Sequence, residues 1–257
     1  MTHSNHIHIQ PGRSIAFASD FHLGVPSLDS SLEREKKIIR WLESVSPQCD
    51  ILFLVGDIFD FWFEYKHVIP KGFIRLQGKL AELTDAGKKI YIFSGNHDMW
   101  MKDYFTNEMG IEILHQPTVF FFNEKKILIG HGDGLGPGDT GYKLLKKIFR
   151  NKFCQWLFKI IHPTIGMTIA HTWSRKSRIT NIKRKEEFLG DKEWLWMYCK
   201  ELEKKEHHDY YIFGHRHLPL DLEVSPTSRY INLGEWVNYS SYALFDGEKI
   251  TLLTFSE

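Results

Sequence analysis

Five short segments carry side chains that could bind metal ions or move protons. They are Asp20-Phe21-His22, Gly56-Asp57, Gly95-Asn96-His97-Asp98, His131-Gly132-Asp133 and Gly214-His215-Arg216-His217. Each follows an apolar run, in turn AFAS, LFLV, YIFS, ILIG and YYIF. Carboxylate, imidazole and amide oxygen make a hard-to-borderline donor set, suited to Mn, Fe, Zn or Co rather than to soft Cu(I). Asp20, His22, Asp57, Asn96, His131, His215 and His217 are seven candidate ligands, too many for one ion. Two ions sharing a carboxylate fit the count. Taken singly, each piece is unremarkable in function: polar residues after a strand often form a turn, and His215 and His217 could alternate on a half-buried strand. Their repeated place after an apolar run is the signal. The other histidines lack that context; His3, His6 and His8 read as a solvated tail, and His207 and His208 as a polar turn.

The elements that must position these side chains are legible nearby. Residues 14–19, 51–56 and 89–94 are short apolar runs, and the spacing of 30–46 and 73–86 between them predicts helices. This alternation argues for an α/β sheet with buried strands. Residues 117–122 and 125–130 flank Asn123-Glu124 as a hairpin candidate. From Tyr210 onward the pattern is β-like: YYIFG, LDLEV, RYINLG, YALFD and KITLLTF.

Residues 139–208 differ, with helical spacing interrupted at His162-Pro163. Within 139–185 there are twelve Lys or Arg and one acid, Asp139. That is +11 for the segment against +1 for the whole chain, which leaves −10 for the rest. The segment reads as a basic insertion in an acidic core, and it is also rich in Leu, Ile, Phe and Trp. The near-zero total points to no global field for nucleic acid or membrane. Cys49, Cys154 and Cys199 lie far apart and form no paired motif, so a reducing compartment is expected. The N-terminal MTHSNHIHIQ has no basic start followed by an apolar stretch, and no run of 18 apolar residues occurs. The expectation is a cytosolic protein, or one attached to a membrane from the cytosolic side.

In this order, D-x-H, GD, GNHD, HGD and GHxH resemble the calcineurin-like metallophosphoesterases. The resemblance implies an α/β (α+β) fold: a four-layer αββα sandwich in a single domain, 1–257, with a helical insertion at about 139–208. It implies that Asp20, His22 and His217 hold one divalent ion, that Asn96, His131 and His215 hold another, and that Asp57 bridges them. Mn2+ is the expected metal, with Fe, Zn or Co as alternatives, and the paired cations would acidify water for attack on phosphorus. His97 would stabilise charge or protonate the leaving oxygen rather than bind metal. Asp98 would hold the His97 imidazole in place, and could also cap a helix within MWMKDYF.

Within that family, GDIFDFWFEY, HGDGLGPGDTGY and LGEW resemble the UDP-2,3-diacylglucosamine pyrophosphatases of lipid A synthesis. That resemblance implies cleavage of a UDP-linked diacylated glucosamine to UMP and a diacylated glucosamine phosphate, with the insertion as a lid over the acyl chains. Asn96, His97, Asp139, Tyr142 and His215 would line the substrate site. Ser177, Asn181 and Arg184, spaced i, i+4, i+7 on one helix face, would grip the nucleoside and sugar. The insertion could also rest on an anionic membrane, on the cytoplasmic face of an inner membrane. A nuclease would hold its strand in a basic, aromatic groove. Here the basic residues alternate with bulky aliphatics, so no nucleic acid is expected, and no protein partner is implied. One departure stands out: members of that branch often carry Arg where this chain has His97. It leaves open a related enzyme acting on another nucleotide pyrophosphate or phosphodiester.

Overall fold

The computed structural model describes residues 5–25, 27–137, 140–169, 172 and 187–256. Among the described residues twelve strands form two six-stranded mixed sheets. The first sheet has the order β12(Ile250–Thr254)-β11(Ser241–Phe245)-β2(Ser14–Ala18)-β3(Cys49–Val55)-β4(Lys89–Phe93)-β5(Glu112–Leu114). The second runs β1(Asn5–Ile7)-β6(Thr118–Phe122)-β7(Lys125–Gly130)-β8(Tyr210–Phe213)-β10(Ser228–Leu233)-β9(Pro219–Ser225). Strands β2, β3 and β4 are parallel, as are β7 and β8, so the C-terminal tips within each set share an edge. These strands are near-continuous apolar runs because both of their faces are covered.

The inner faces of the two sheets meet in an aromatic layer. Phe53 on β3 stacks between Phe17 and Tyr91, with ring centroids at 5.2 and 4.8 Å, and meets the edge of Phe120 from the other sheet at 5.0 Å. Helices cover the outer face of the first sheet. In α1 (Leu28–Val45) the buried Ile38, Trp41, Leu42 and Val45 recur at i, i+3, i+4, i+7, one stripe of a helix. Ser27 starts this helix by accepting the Ser30 amide at 3.2 Å, half of a reciprocal capping box. Helix α2 (Ile74–Asp85) turns Leu76, Leu80 and Leu83 to the same core, and α3 (Tyr104–Met109) adds Phe105.

Between β7 and β8 the chain leaves the sheet. It forms α4 (Thr140–Arg150), α5 (Lys152–Ile160) and a further helix, α6, over residues 163–169. Phe158 of α5 packs on Phe63 and Trp100 at 4.8 and 4.9 Å, and the Trp100 indole donates to the Phe149 carbonyl at 2.8 Å. Helix α7 (Trp194–Glu203) then lies on the outer face of the second sheet through Leu195 and Cys199 and forms the fourth layer. The helical stretch expected at 139–208 is therefore divided in its packing: α4 to α6 stand over the strand tips, and α7 belongs to the sandwich. The tail expected around His6 is instead strand β1, paired parallel to β6, with His6 stacked on Phe121 at 4.4 Å. No helix among the described residues is long and apolar enough to cross a membrane.

Candidate metal centre

Strands β2, β3 and β4 deliver Asp20, His22, Asp57 and Asn96. Strands β7 and β8 deliver His131, His215 and His217. The tips are laced together by backbone bonds: Asp20 N–H to Gly56 O at 3.0 Å, His22 N–H to Asp57 O at 2.9 Å, and Gly214 N–H to His131 O at 3.0 Å. Among the described residues eight non-glycine residues have positive φ, and five of them are Asp20, His22, Asp57, His215 and His217. The left-handed region is costly for residues with a Cβ, and such outliers persist where the surrounding structure forces them. Here they turn side chains off the strand ends toward one point.

The result is three overlapping donor groups among the described residues: two share Asp57, and the third, His22, Asp60 and His97, lies toward the rim. Asp20, His22, Asp57 and His217 present ligand atoms within 4.8 Å of one another, and so do Asp57, His131 and His215. In the first group, Nε2 of His22 and of His217 lie 3.0 Å apart, with Asp20 Oδ1 at 3.6 and 3.2 Å from them. In the second, His131 Nε2 is 3.1 Å from Asn96 Oδ1 and 3.4 Å from Asp57 Oδ2. Ligands at about 2.1 Å from a divalent ion in octahedral geometry sit about 3 Å from one another, which is the spacing seen. Asp20 Oδ1 and Asp57 Oδ2 are shut from solvent with no hydrogen bond aligned on them, a state that buried carboxylate oxygens seldom occupy without a cation. His131 Nδ1 lies 2.9 Å from the Val55 carbonyl. That contact assigns the proton to Nδ1 and leaves Nε2 to bind an ion. These residues fit a pair of divalent cations.

Electrostatics agree with that fit. Burial alone would lower the His131 pKa, yet Asp57, with help from Asp20 and Asp133, raises it to about 10. Burial opposes ionisation of Asp20 and Asp57, but the surrounding imidazoles hold both below the usual carboxylate range. His215 is pushed down to about 4 by burial and by the charge on His131. The pocket thus demands positive charge, which cations would supply in place of protons.

His97 sits at the rim with 19% of its side chain exposed, its ring edge-on to His22 at 5.1 Å. Its Nδ1 faces the Asp60 carbonyl at 3.0 Å and Asp60 Oδ1 at 3.6 Å. The role expected of Asp98 is therefore corrected. Its carboxylate accepts backbone N–H groups from Gly95 at 2.7 Å, Ile58 at 2.8 Å and Phe59 at 3.4 Å, while His97 Nδ1 is taken by Asp60. It ties the β3 and β4 turns together, and burial with the nearby Asp57 pushes its pKa up to about 7. Nor does it cap a helix, since α3 begins after Asp103. Sequence reasoning missed Asp60. It lies three residues beyond Asp57, and that fixed offset from the GD motif was the available signal. Also missed was Arg34 of α1, a buried guanidinium that donates to the carbonyls of Phe21 at 2.7 Å and His22 at 2.6 Å.

Of the residues expected to bind substrate, Tyr142 on α4 lies with its ring 6.2 Å from that of His215, and its hydroxyl donates to Asp133 at 2.7 Å. Asn96 and His215 stand at the centre itself and His97 at its rim. Asp139, Ser177, Asn181 and Arg184 lie outside the described residues.

Residues 13–219 match the calcineurin-like phosphoesterase family, and the chain belongs to it. Members of this family act through divalent metal ions, in keeping with the clustered donors above. Among individual proteins, the chain is 36% identical over 251 residues to the UDP-2,3-diacylglucosamine hydrolase of Porphyromonas gingivalis, covering 93% of this chain and 96% of the relative. It is 29% identical over 245 residues to the protein of the same name from Proteus mirabilis, covering 93% and 98%. A solved phosphoesterase from E. coli aligns over 94% of this chain and 92% of its own, with 16% identity and a TM-score of 0.44.

Proposed function

We propose that this protein hydrolyses the pyrophosphate of UDP-2,3-diacylglucosamine to UMP and 2,3-diacylglucosamine 1-phosphate, with two Mn2+ ions at the centre. The observation that carries the reading is an apolar helical surface standing beside a phosphoester-cleaving centre. Leu144, Ile148, Phe153, Trp156, Ile160 and Ile165 are exposed on α4 to α6. Contiguous exposed apolar area of this kind marks a binding surface, and acyl chains are the part of this substrate that would fill it. The exposed Lys147, Lys152 and Lys159 add cations for phosphate. Relatives of that name align with nearly the whole chain.

Two cations bound at the centre would supply acidified water and neutralise phosphoryl charge. The chain's own groups do the rest. Asp20, Asp57, Asn96 and the four histidines His22, His131, His215 and His217 fix the ions. His97 has its Nδ1 committed to the Asp60 carbonyl, so Nε2 is the atom that can donate to a phosphoryl oxygen or hand a proton to the departing one. A water oxygen bonds to phosphorus, one anhydride P–O bond breaks, and the leaving phosphate oxygen departs with or without that proton. Asp60 holds the ring so that this hydrogen bond needs no reorientation. The same apolar and basic side chains suit peripheral contact with an anionic membrane on its cytoplasmic face, where a diacylated substrate partitions.

The test is UMP release by the Mn2+-loaded protein from UDP-2,3-diacylglucosamine, with UDP-N-acetylglucosamine alongside. Turnover of the acylated compound alone supports both the substrate and the role of the helices. No turnover of either, with activity retained on bis(p-nitrophenyl) phosphate, removes the lipid substrate and keeps the dinuclear centre.

A further inference from the structure

The helices that carry the apolar surface are joined to the sandwich at two roots, and each root holds an ion pair next to a metal ligand, buried at Arg216–Glu193 and partly exposed at Lys146–Asp133. At the first, Asp133 follows His131 by two residues and is 7% exposed. Its Oδ2 receives the Tyr142 hydroxyl at 2.7 Å and Lys146 Nζ at 2.5 Å, and Lys146 also reaches the Asp133 carbonyl at 2.7 Å. Tyr142 and Lys146 are spaced i, i+4, so one face of α4 grips one carboxylate. At the second root, Arg216 lies between His215 and His217. Its Nε and Nη2 meet the two carboxylate oxygens of the fully buried Glu193 at 3.0 Å each, and Nη2 reaches the Glu187 carbonyl at 2.5 Å. Glu193 also accepts the Leu189 amide at 2.9 Å.

Buried ion pairs add little to stability, because removing two charges from water costs about what their attraction returns. They are directional, however, and their best-attested use is to fix register. The apolar contact of Phe158 with Phe63 and Trp100 holds α5 down but is non-directional. Two charged pairs, one where the chain leaves the sandwich and one where it rejoins it, each within two residues of a ligand, supply what that contact lacks. We infer that Asp133–Lys146 and Glu193–Arg216 are positioning pairs that set the register of the substrate-covering helices against the metal ligands. None of the four residues belongs to a donor group at the centre.

Lys146→Met keeps the aliphatic stem and removes the charge; Glu193→Gln keeps the shape; Arg216→Lys keeps the charge and loses the two-pronged geometry. Register is read without substrate, by double electron–electron resonance between nitroxides at Glu124→Cys in the β6–β7 turn and Trp156→Cys on α5, in a Cys154→Ser background. The parent should give one narrow distance distribution. Lys146→Met and Glu193→Gln should broaden it at least twofold, with Arg216→Lys between. Activity is the second readout. kcat on the diacylated sugar nucleotide should fall at least tenfold in Lys146→Met, while hydrolysis of bis(p-nitrophenyl) phosphate and Mn2+ affinity stay within twofold of the parent. This arm rests on the proposed substrate and the distance arm does not, so failure of the substrate reading shows in the parent enzyme alone. An unchanged distance distribution in folded variants, or equal loss on both substrates, overturns the inference.

Discussion

One methyl group added at Gly214 should disable metal binding and leave the sandwich standing. A Cβ there would lie 2.5 Å from Asp20 Oδ2, 2.6 Å from Ser19 Oγ and 2.8 Å from Ser19 Cβ. Ordinary contact begins near 3.4 Å, so the Asp20 carboxylate must withdraw by about 0.9 Å or the backbone must move. Metal–ligand distances tolerate only about 0.2 Å. The shift also strains the 3.0 Å bond from the His215 amide to the same carboxylate, so two ligands move together. Disturbing partners that merely orient ligands costs about 10- to 100-fold in affinity, and displacing Asp20 itself should reach or exceed the top of that range. The overpacking should cost about 1–3 kcal/mol of stability. The control is Gly78→Ala, on the exposed face of α2 with nothing within 4 Å of the new Cβ. It should stabilise by about 1 kcal/mol through helix propensity and leave the centre untouched. Calorimetric Mn2+ titration and urea unfolding of both variants make the comparison. Parental Mn2+ affinity in Gly214→Ala would refute the reasoning, since it would mean that Ser19 or the backbone gives way and leaves Asp20 in place.

Three further outcomes are expected. Phe53→Ala removes a fully buried ring held between Phe17, Tyr91 and Phe120 and should cost about 3–5 kcal/mol in urea unfolding; a loss under 1 kcal/mol would mean that the two sheets close over the gap. His97→Ala should lower kcat by about 10²- to 10⁴-fold while Mn2+ stoichiometry stays at two by elemental analysis; loss of an ion would make His97 a ligand. Glu203 is raised by burial, but hydrogen bonds from His207, the His208 amide and the Tyr211 hydroxyl outweigh this and bring its pKa to about 2, against 4.5 when free. A depressed folded value stabilises above the free value, and that contribution drains away as pH falls toward 2. Glu203→Gln should therefore be less stable near pH 6 by about 2 kcal/mol, after screening at the exposed His207, and should match the parent near pH 2. A stability gap that persists in acid would assign the effect to packing.

Strands β2, β3 and β4 and the β6–β7 hairpin were legible because their burial writes itself into short apolar runs with polar ends. The same runs exposed the seven donors, since each lies within four residues of the end of a strand. Other features left weaker marks. Strand β1 is a polar three-residue segment whose partner is over a hundred positions away, and β5 is as short. Helix α7 shares the aromatic and aliphatic residues of the helices before it, and its burial against the second sheet separates it from them. Asp60 was hidden in an aromatic run, and its contact with His97 spans 37 residues through the left-handed turn at Asp57. Asp98 misled because adjacency in sequence suggests contact. At a turn, a carboxylate next to an imidazole is as well placed to collect backbone N–H groups, and here three of them claim it.

The distance along the chain between His22 and His217 has a consequence for when the enzyme comes into being. The two imidazoles meet across 195 residues, and the second sheet supplies three of the four histidines among the donors. During synthesis at about 5–20 residues per second, the interval between the two would be roughly 10–40 s. Until it closes neither of the groups that share Asp57 is complete: the first lacks His217 and the second lacks His215. A nascent or truncated chain therefore has no hydrolytic centre, and activity switches on in one late event, when β8 joins β7.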